Sequence, residues 1–331
     1  MALRFLDSFD HYTSATQKWS TGNWVTSGGY ARTGTYGIAP GANHYRTITL
    51  DNQDTWIVGL AARFATLWNN KAFMGIMDGA SYQSQVIVQA DGRLDLYVGG
   101  GFAARTTRFL RAGAWHYIEV KHIIANAGGT LELRVNGEVW ATYAGDTQAT
   151  ANAYANTIRL NSAGQPYVYS VYVDDIYILD GTGGAPNNDY WGDCQIERSL
   201  PNGVGTYNEW ASIVGAPTAH EATDEVPPSG AEYVGESLVN DRVTMAMGDI
   251  TPANATINGL QVNIFCREDT AGAAHIARML RHTAADDQGA DFALNTSFAY
   301  WLREIMETDP IAVGPWTVAN VNAAEFGARV R

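Results

Sequence analysis

Apolar and polar positions alternate with a period of two through much of the first half of the chain. In Gly129-Thr-Leu131-Glu-Leu133-Arg-Val135 the leucines and the valine fall on one face, and Glu132 and Arg134 on the other. That is the pattern of a half-buried strand. Asn136-Gly137 then supplies two residues that tolerate positive φ, so a tight type I′ turn should return the chain into Val139–Tyr143. Upstream, Trp115–Lys121 reads as the preceding strand. Similar segments are predicted at Leu3–Phe9, Tyr45–Leu50, Trp56–Phe64, Ala72–Met77, Gln85–Gln89, Leu94–Val98, Thr157–Leu160 and Tyr167–Leu179, with Asp91-Gly92 as a hairpin turn. No helical period of useful length separates them, which predicts an antiparallel sandwich.

Gly181-Thr-Gly-Gly-Ala-Pro186-Asn-Asn has little to bury and marks a break. Beyond it, strands are predicted at Asp193–Leu200, Tyr233–Val239, Val243–Met247, Ile257–Cys266, His275–Arg281, Phe298–Glu307 and Glu325–Val330. Turns are expected at Asn202-Gly203, Pro227-Pro228-Ser-Gly230 and Asn258-Gly259. Ala271–Arg281 also fits a helix face through Ile276, Met279 and Leu280; among neighbouring strands it is read as a strand. Thr317–Ala324 reads as one helical turn capped by Thr317. The expected fold class is all-β, with two tandem antiparallel β-sandwich (jelly-roll) domains, residues 1–183 and 184–331, and little helix.

Composition agrees with a β-rich chain: 331 residues include 34 Gly, 17 Tyr and 10 Trp, and only 17% are charged. No apolar run approaches the roughly 20 residues that span a bilayer, so no membrane insertion is expected. No basic and then apolar leader is visible, which implies synthesis in a cytosol. Cys194 and Cys266 are too few for a disulfide framework, and whether they pair is left open by the sequence. The net charge is −13, of which −1 falls up to Gly183 and −12 beyond it. An acidic second half argues against nucleic acid as a partner, because phosphate contacts need Lys and Arg. It suits solubility or docking against a basic partner.

Motifs for chemistry are scarce. His220-Glu221 lacks a second His at zinc-gripping spacing, no Gly-x-Ser-x-Gly elbow exists, and Gly99-Gly100-Gly101 lacks the Lys of a phosphate loop. Glu119 stands alone, Glu132 is paired with Arg134, and the adjacent Asp174 and Asp175 should face opposite sides of their strand. Asp286-Asp287-Gln-Gly-Ala-Asp291 and Glu221–Glu225 offer oxygens for calcium but match no loop spacing. No catalytic, cofactor-binding or metal-binding residue is assigned, no cofactor is expected, and the chain is expected not to be an enzyme. Tyr30, Tyr36, Tyr45, Tyr82 and Trp68, in or near loops, are candidates to stack on sugars.

Two sets of residues carry a resemblance. Phe5-Leu-Asp-Ser-Phe9-Asp10-His-Tyr12, Gly113-x-Trp115-His-Tyr117-x-Glu119, the Leu131–Val139 hairpin and Val173-Asp174-Asp175-Ile176-Tyr177 resemble the concanavalin A-like (laminin G-like) jelly roll. The resemblance implies a buried Trp115 anchor and a structural acceptor role for Asp175. With Ala185-Pro-Asn-Asn188-Asp-Tyr-Trp-Gly192-Asp, Leu200-Pro-Asn-Gly203, Glu307-Thr-Asp309-Pro310, Pro315-Trp316-Thr317 and Asn322-Ala-Ala-Glu-Phe326-Gly, the whole chain is similar to virion structural proteins of tailed bacteriophages. That implies a tail-fibre, tail-tip or head-decoration protein located in the virion, with other virion proteins as partners and a homo-oligomeric state, a trimer favoured. The alternatives are a receptor-binding protein for host surface glycan and, third, a polysaccharide depolymerase using Glu119.

Overall fold

A computed structural model describes residues 2–14, 17–20, 24–40, 45–161, 171–270, 272 and 274–331. The chain is nearly all β and divides into two compact units, Met1–Ile196 and Glu197–Arg331. The strands of the first unit are β1 (Leu3–Asp7), β2 (Trp24–Ser27), β3 (Gly37–Pro40), β4 (Arg46–Gln53), β5 (Thr55–Phe64), β6 (Lys71–Asp78), β7 (Ser81–Val88), β8 (Leu94–Val98), β9 (Gly101–Arg105), β10 (Trp115–Ile123), β11 (Gly129–Val135), β12 (Glu138–Gly145), β13 (Ala155–Leu160) and β14 (Val171–Asp180). The start of the predicted Tyr167–Leu179 strand lies outside the described residues.

These strands form two antiparallel sheets. One has eight strands in the order β12-β11-β10-β5-β14-β3-β2, with β1 also on β14; the other has six, β4-β13-β6-β7-β8-β9. Asn136 and Gly137 both take positive φ, 50° and 79°, as the hairpin between β11 and β12 requires. Ile118 and Val120 of the first sheet and Ile158, Leu160, Ile76, Val86, Leu94 and Leu96 of the second are buried between the layers. Phe64 meets Phe73 across them, ring edge to face at 5.2 Å.

The opening Phe5–Tyr12 motif owes its pattern to Asp7, which is buried at the end of β1. Its carboxylate accepts from the Tyr12 hydroxyl (2.6 Å), Trp19 Nε1 (2.8 Å) and the Phe9 N–H (2.9 Å), and pairs with buried Lys18 at 3.5 Å. Burial pushes the Asp7 carboxyl up, but Lys18, His11 and these donors outweigh it and hold it below its usual range.

His122 is buried between the sheets, its Nδ1 2.9 Å from Ser84 Oγ and its Nε2 3.2 Å from the Thr147 carbonyl. The carbonyl can only accept, so Nε2 carries the proton and Nδ1 accepts from Ser84. Burial pushes this imidazole down to about 4 from 6.5. A depressed folded-state value means that His122 contributes stability above pH 6.5, and that this is lost as pH falls toward about 4. The full loss is about 3 kcal/mol. The expected result is a steeper acid-side fall in Tm for the wild type than for His122→Gln, and equal slopes would refute the assignment.

The second unit holds β15 (Pro201–Asn208), β16 (Ser212–Val214), β17 (Tyr233–Gly235), β18 (Arg242–Met247), β19 (Leu260–Cys266), β20 (His275–His282), β21 (Ala285–Gln288), β22 (Phe292–Ala293), β23 (Ala299–Met306), one short helix α1 (Val318–Asn322) and β24 (Glu325–Val330). A sheet ordered β15-β18-β24-β20-β21, with β22 on β20, is accompanied by the pairs β16-β17 and β19-β23. Leu280, Met306, Trp316, Val321 and Ala324 form one core cluster. Thr317 caps α1, its Oγ1 accepting from the Asn320 N–H at 3.1 Å. Buried Asp309 ties the surrounding motif together, accepting from His282 (2.9 Å), from the Ile311 and Ala312 N–H groups and from Asn320.

Several expectations are corrected here. Asp193–Leu200 forms no strand; its first part lies with the first unit, where the Ile196 N–H donates to Asp175. Asn202-Gly203 is no turn but part of β15, with Gly203 opposite Ala246. Tyr233–Val239 shortens to Tyr233–Gly235, and Asn258-Gly259 runs straight into β19. Ala271 itself lies outside the described residues, while His275–His282 is the strand expected there. Trp115 is not a buried anchor. It alternates with Ile118 and Val120 and so stands half-buried on the outer side of its sheet; Trp56, by contrast, is fully buried and donates to the Ala155 carbonyl at 3.0 Å.

Candidate functional site: the outer face of the six-stranded sheet

One cross-strand row runs over all six strands of the smaller sheet: Thr47, Arg159, Gly75, Gln85, Tyr97 and Phe102, each opposite the next. Their strand neighbours Ile158 and Leu160, Met74 and Ile76, Ser84 and Val86, and Leu96 are buried in the core. Alternation therefore turns the row from Arg159 to Phe102 outward, while Thr47 at its end is buried. Six strands span about 24 Å at the usual ladder spacing, enough for several sugar rings in line.

Gly75 leaves a gap in the row, and the Tyr82 ring fills it; a Cβ on Gly75 would run into that ring. The Tyr82 hydroxyl accepts from Arg159 Nη1 at 3.2 Å. The Arg159 guanidinium lies 4.2 Å from the Tyr45 ring centre and 5.6 Å from that of Tyr82. On the other side Gln85 donates to the Gly99 carbonyl, and Tyr97 meets Phe102 edge to face at 5.8 Å. Phe102 is 57% exposed. Asp95, two positions before Tyr97 on the same strand and buried, is held by Arg105 Nε and Nη2 and by Gln89. The result is a strip of half-exposed aromatic rings interrupted by a guanidinium and an amide.

The opposite outer face, on the eight-stranded sheet, is largely covered by residues 186–196. Trp191 packs on Tyr177 at 4.6 Å, the Gly192 N–H donates to Glu119 (2.8 Å), and Cys194 and Tyr117 share a hydrogen bond (2.9 Å). Burial pushes the Cys194 thiol up to about 12, which removes it as a nucleophile. What stays half-exposed there is the shorter row Tyr172–Arg63–Trp115, with Tyr30 stacked on Tyr172 at 4.8 Å.

The candidates named from sequence thus scatter. Tyr45 and Tyr82 come together around Arg159. Tyr30 joins the other sheet, Tyr36 gives its N–H to Asp10 (2.6 Å), and Trp68 stands 42% exposed in the loop between β5 and β6. Arg159, Gln85, Tyr97 and Phe102 were not foreseen. The alternation Leu94-Asp-Leu96-Tyr97 already placed Tyr97 on the polar side; Phe102 was hidden because β9 follows a glycine run that reads as loop.

Glu119 is buried and bonded to the Tyr177 hydroxyl and the Gly192 N–H. Burial pushes its carboxyl up against those hydrogen bonds. Asp174 and Asp175 do not face opposite sides. Asp175 has φ 50° at a register shift in β14, so both carboxyls turn to one segment: Asp174 accepts from the Arg32 and Thr33 N–H groups, and Asp175 from Thr33 Oγ1 and the Ile196 N–H. Burial raises both, and for Asp174 the charge of Asp175 adds to it. Asp286, Asp287 and Asp291 go to three separate arginines, Arg281, Arg278 and Arg331, rather than to a shared cation. Among the described residues no group of three or more His, Cys, Asp or Glu is arranged to hold a metal ion. None of their helices is long and apolar enough to cross a membrane.

No family model and no curated protein matches the chain. Solved structures do. The cellulose-induced protein Cip1 matches at 16% identity over 52% of this chain and 89% of its own, with a TM-score of 0.37. An alginate lyase, Aly36B, matches at 11% identity over 44% of this chain and 81% of its own, with a TM-score of 0.35. A Trypanosoma rangeli sialidase matches at 12% identity over 43% of this chain, which spans about a quarter of that enzyme, with a TM-score of 0.35. The expectation of a non-enzymatic chain is corrected here. Enzymes stand among the chains it is similar to, and one of the grounds for that expectation, the divergence of Asp174 and Asp175, is not found.

Proposed function

We propose that the first unit binds a polysaccharide along the outer face of its six-stranded sheet. The observation that carries this reading is the outward row from Arg159 to Phe102, with Tyr45 and Tyr82 clasping its guanidinium end. Aromatic faces cover the apolar C–H faces of sugars, while phenol, amide and guanidinium groups meet hydroxyls at their edges. Displayed in many copies on a virion, the chain would turn weak single-site binding into firm attachment.

The test is an immobilised-glycan array probed with the whole chain coupled multivalently to beads, with release of reducing ends measured in the same wells. Binding to at least one polysaccharide class is expected. No retention at any glycan density would overturn the reading.

A further inference from the structure

Arg159 adds a more specific chemistry, and this step rests on the glycan-binding reading above. Most arginines of the first unit are neutralised by a carboxylate: Arg4 by Asp180, Arg32 by Asp193, Arg93 by Asp91, Arg105 by Asp95, Arg108 by Glu138 and Arg134 by Glu132. Arg159, like Arg63 on the other sheet and Arg111, has no carboxylate partner among the described residues, in a chain that carries 34 acidic side chains. Two aromatic rings flank its guanidinium and the Tyr82 hydroxyl takes one of its N–H groups, so its plane is fixed while its charge is left uncompensated. A flat guanidinium in a set orientation matches a carboxylate, which it can meet with two parallel hydrogen bonds.

We propose that Arg159 reads the negative charge of an acidic polysaccharide, pairing with the carboxylate of a uronic acid whose neighbouring sugars lie over Tyr82, Tyr97 and Phe102. Sugar hydroxyls alone would not call for a cation kept without a counter-ion. The charge up to Gly183 sums to only −1, so this part of the chain has no broad basic surface to attract acidic polymers in general. Selection by one fixed cation therefore favours a ligand that seats its carboxylate at this point of the row.

The experiment titrates the whole chain with tetrasaccharides of galacturonate, mannuronate and guluronate and with their methyl esters, by calorimetry at low and moderate salt. At least one acid should bind about tenfold or more tightly than its ester, as a charge-assisted hydrogen bond allows. Added salt should narrow that gap. Arg159→Gln should abolish the preference while ester affinity stays within about threefold. Arg159→Lys, with the charge but not the planar fork, should fall between. Arg63→Gln, on the other sheet, should leave the preference untouched.

Equal binding of acid and ester by the wild type overturns the inference and leaves the glycan reading standing. Equal weakening of acid and ester in Arg159→Gln also overturns it, since the side chain then only props Tyr82. Failure of every acid and ester to bind, with no retention on the array, sinks both.

Discussion

Asp7→Ala is expected to cost the first unit about 3–5 kcal/mol, the loss that follows when a buried ion pair is broken from one side. The change removes the carboxylate beside Lys18, which is as buried as its partner, and takes from the Tyr12 hydroxyl, the Trp19 Nε1–H and the Phe9 N–H the acceptor they share. Asp7→Asn keeps the shape and one acceptor oxygen, so it should cost less than Asp7→Ala while still exposing the Lys18 charge. Adding Lys18→Met to Asp7→Asn should recover part of the loss. Because the folded-state carboxyl is held below its usual range, its contribution is present at neutral pH and disappears as pH falls through that lowered value. Denaturant titration read by tryptophan fluorescence measures all three variants. A loss under about 1 kcal/mol for Asp7→Ala would mean that the hub does not hold the fold.

The second large effect concerns binding. Tyr97→Ala combined with Phe102→Ala removes the two rings at one end of the outward row, and Tyr82→Ala removes the ring that fills the Gly75 gap and orients Arg159. Central aromatic anchors carry most of the energy of such surfaces, about 2 kcal/mol or more each, so a loss of roughly thirtyfold or more in glycan affinity is expected for either change. All three rings are at least partly exposed and lie outside the core, so thermal stability should move by less than about 1 kcal/mol. Trp115→Ala on the covered sheet is the matched control and should bind as the wild type does. Loss of affinity in Trp115→Ala with none in the row variants would transfer the site to the other sheet.

Architecture was the more legible part. Period-two segments bounded by Asn136-Gly137 and Asp91-Gly92 are local signals, and strands such as Leu94–Val98 and Glu325–Val330 stand where the pattern puts them. Where the reading failed, a partner distant in sequence decided the outcome. Asp193–Ile196 looks like a strand, yet the polar groups it meets are side chains such as Asp175. Asp174 and Asp175 ought to diverge in a regular strand, and only the bulge opposite β5 brings them to one segment. Trp115 resembles a core anchor, but its parity with Tyr117 and Glu119 places it on the outer side. The candidate site was half visible. Tyr45 and Tyr82 could be named as aromatics near turns, but no local pattern tells that Arg159 and Gly75 fall between them, because that register is set by pairing of β13 with β6.

Hydroxyl-radical footprinting of the chain, with and without the polysaccharide captured on the array, tests the location of the site most directly. Protection of Tyr45, Tyr82, Tyr97 and Phe102, with Trp115 and Tyr172 labelled equally in both samples, is the predicted result. Protection confined to Trp115 and Tyr172, or to residues of Glu197–Arg331, would contradict it.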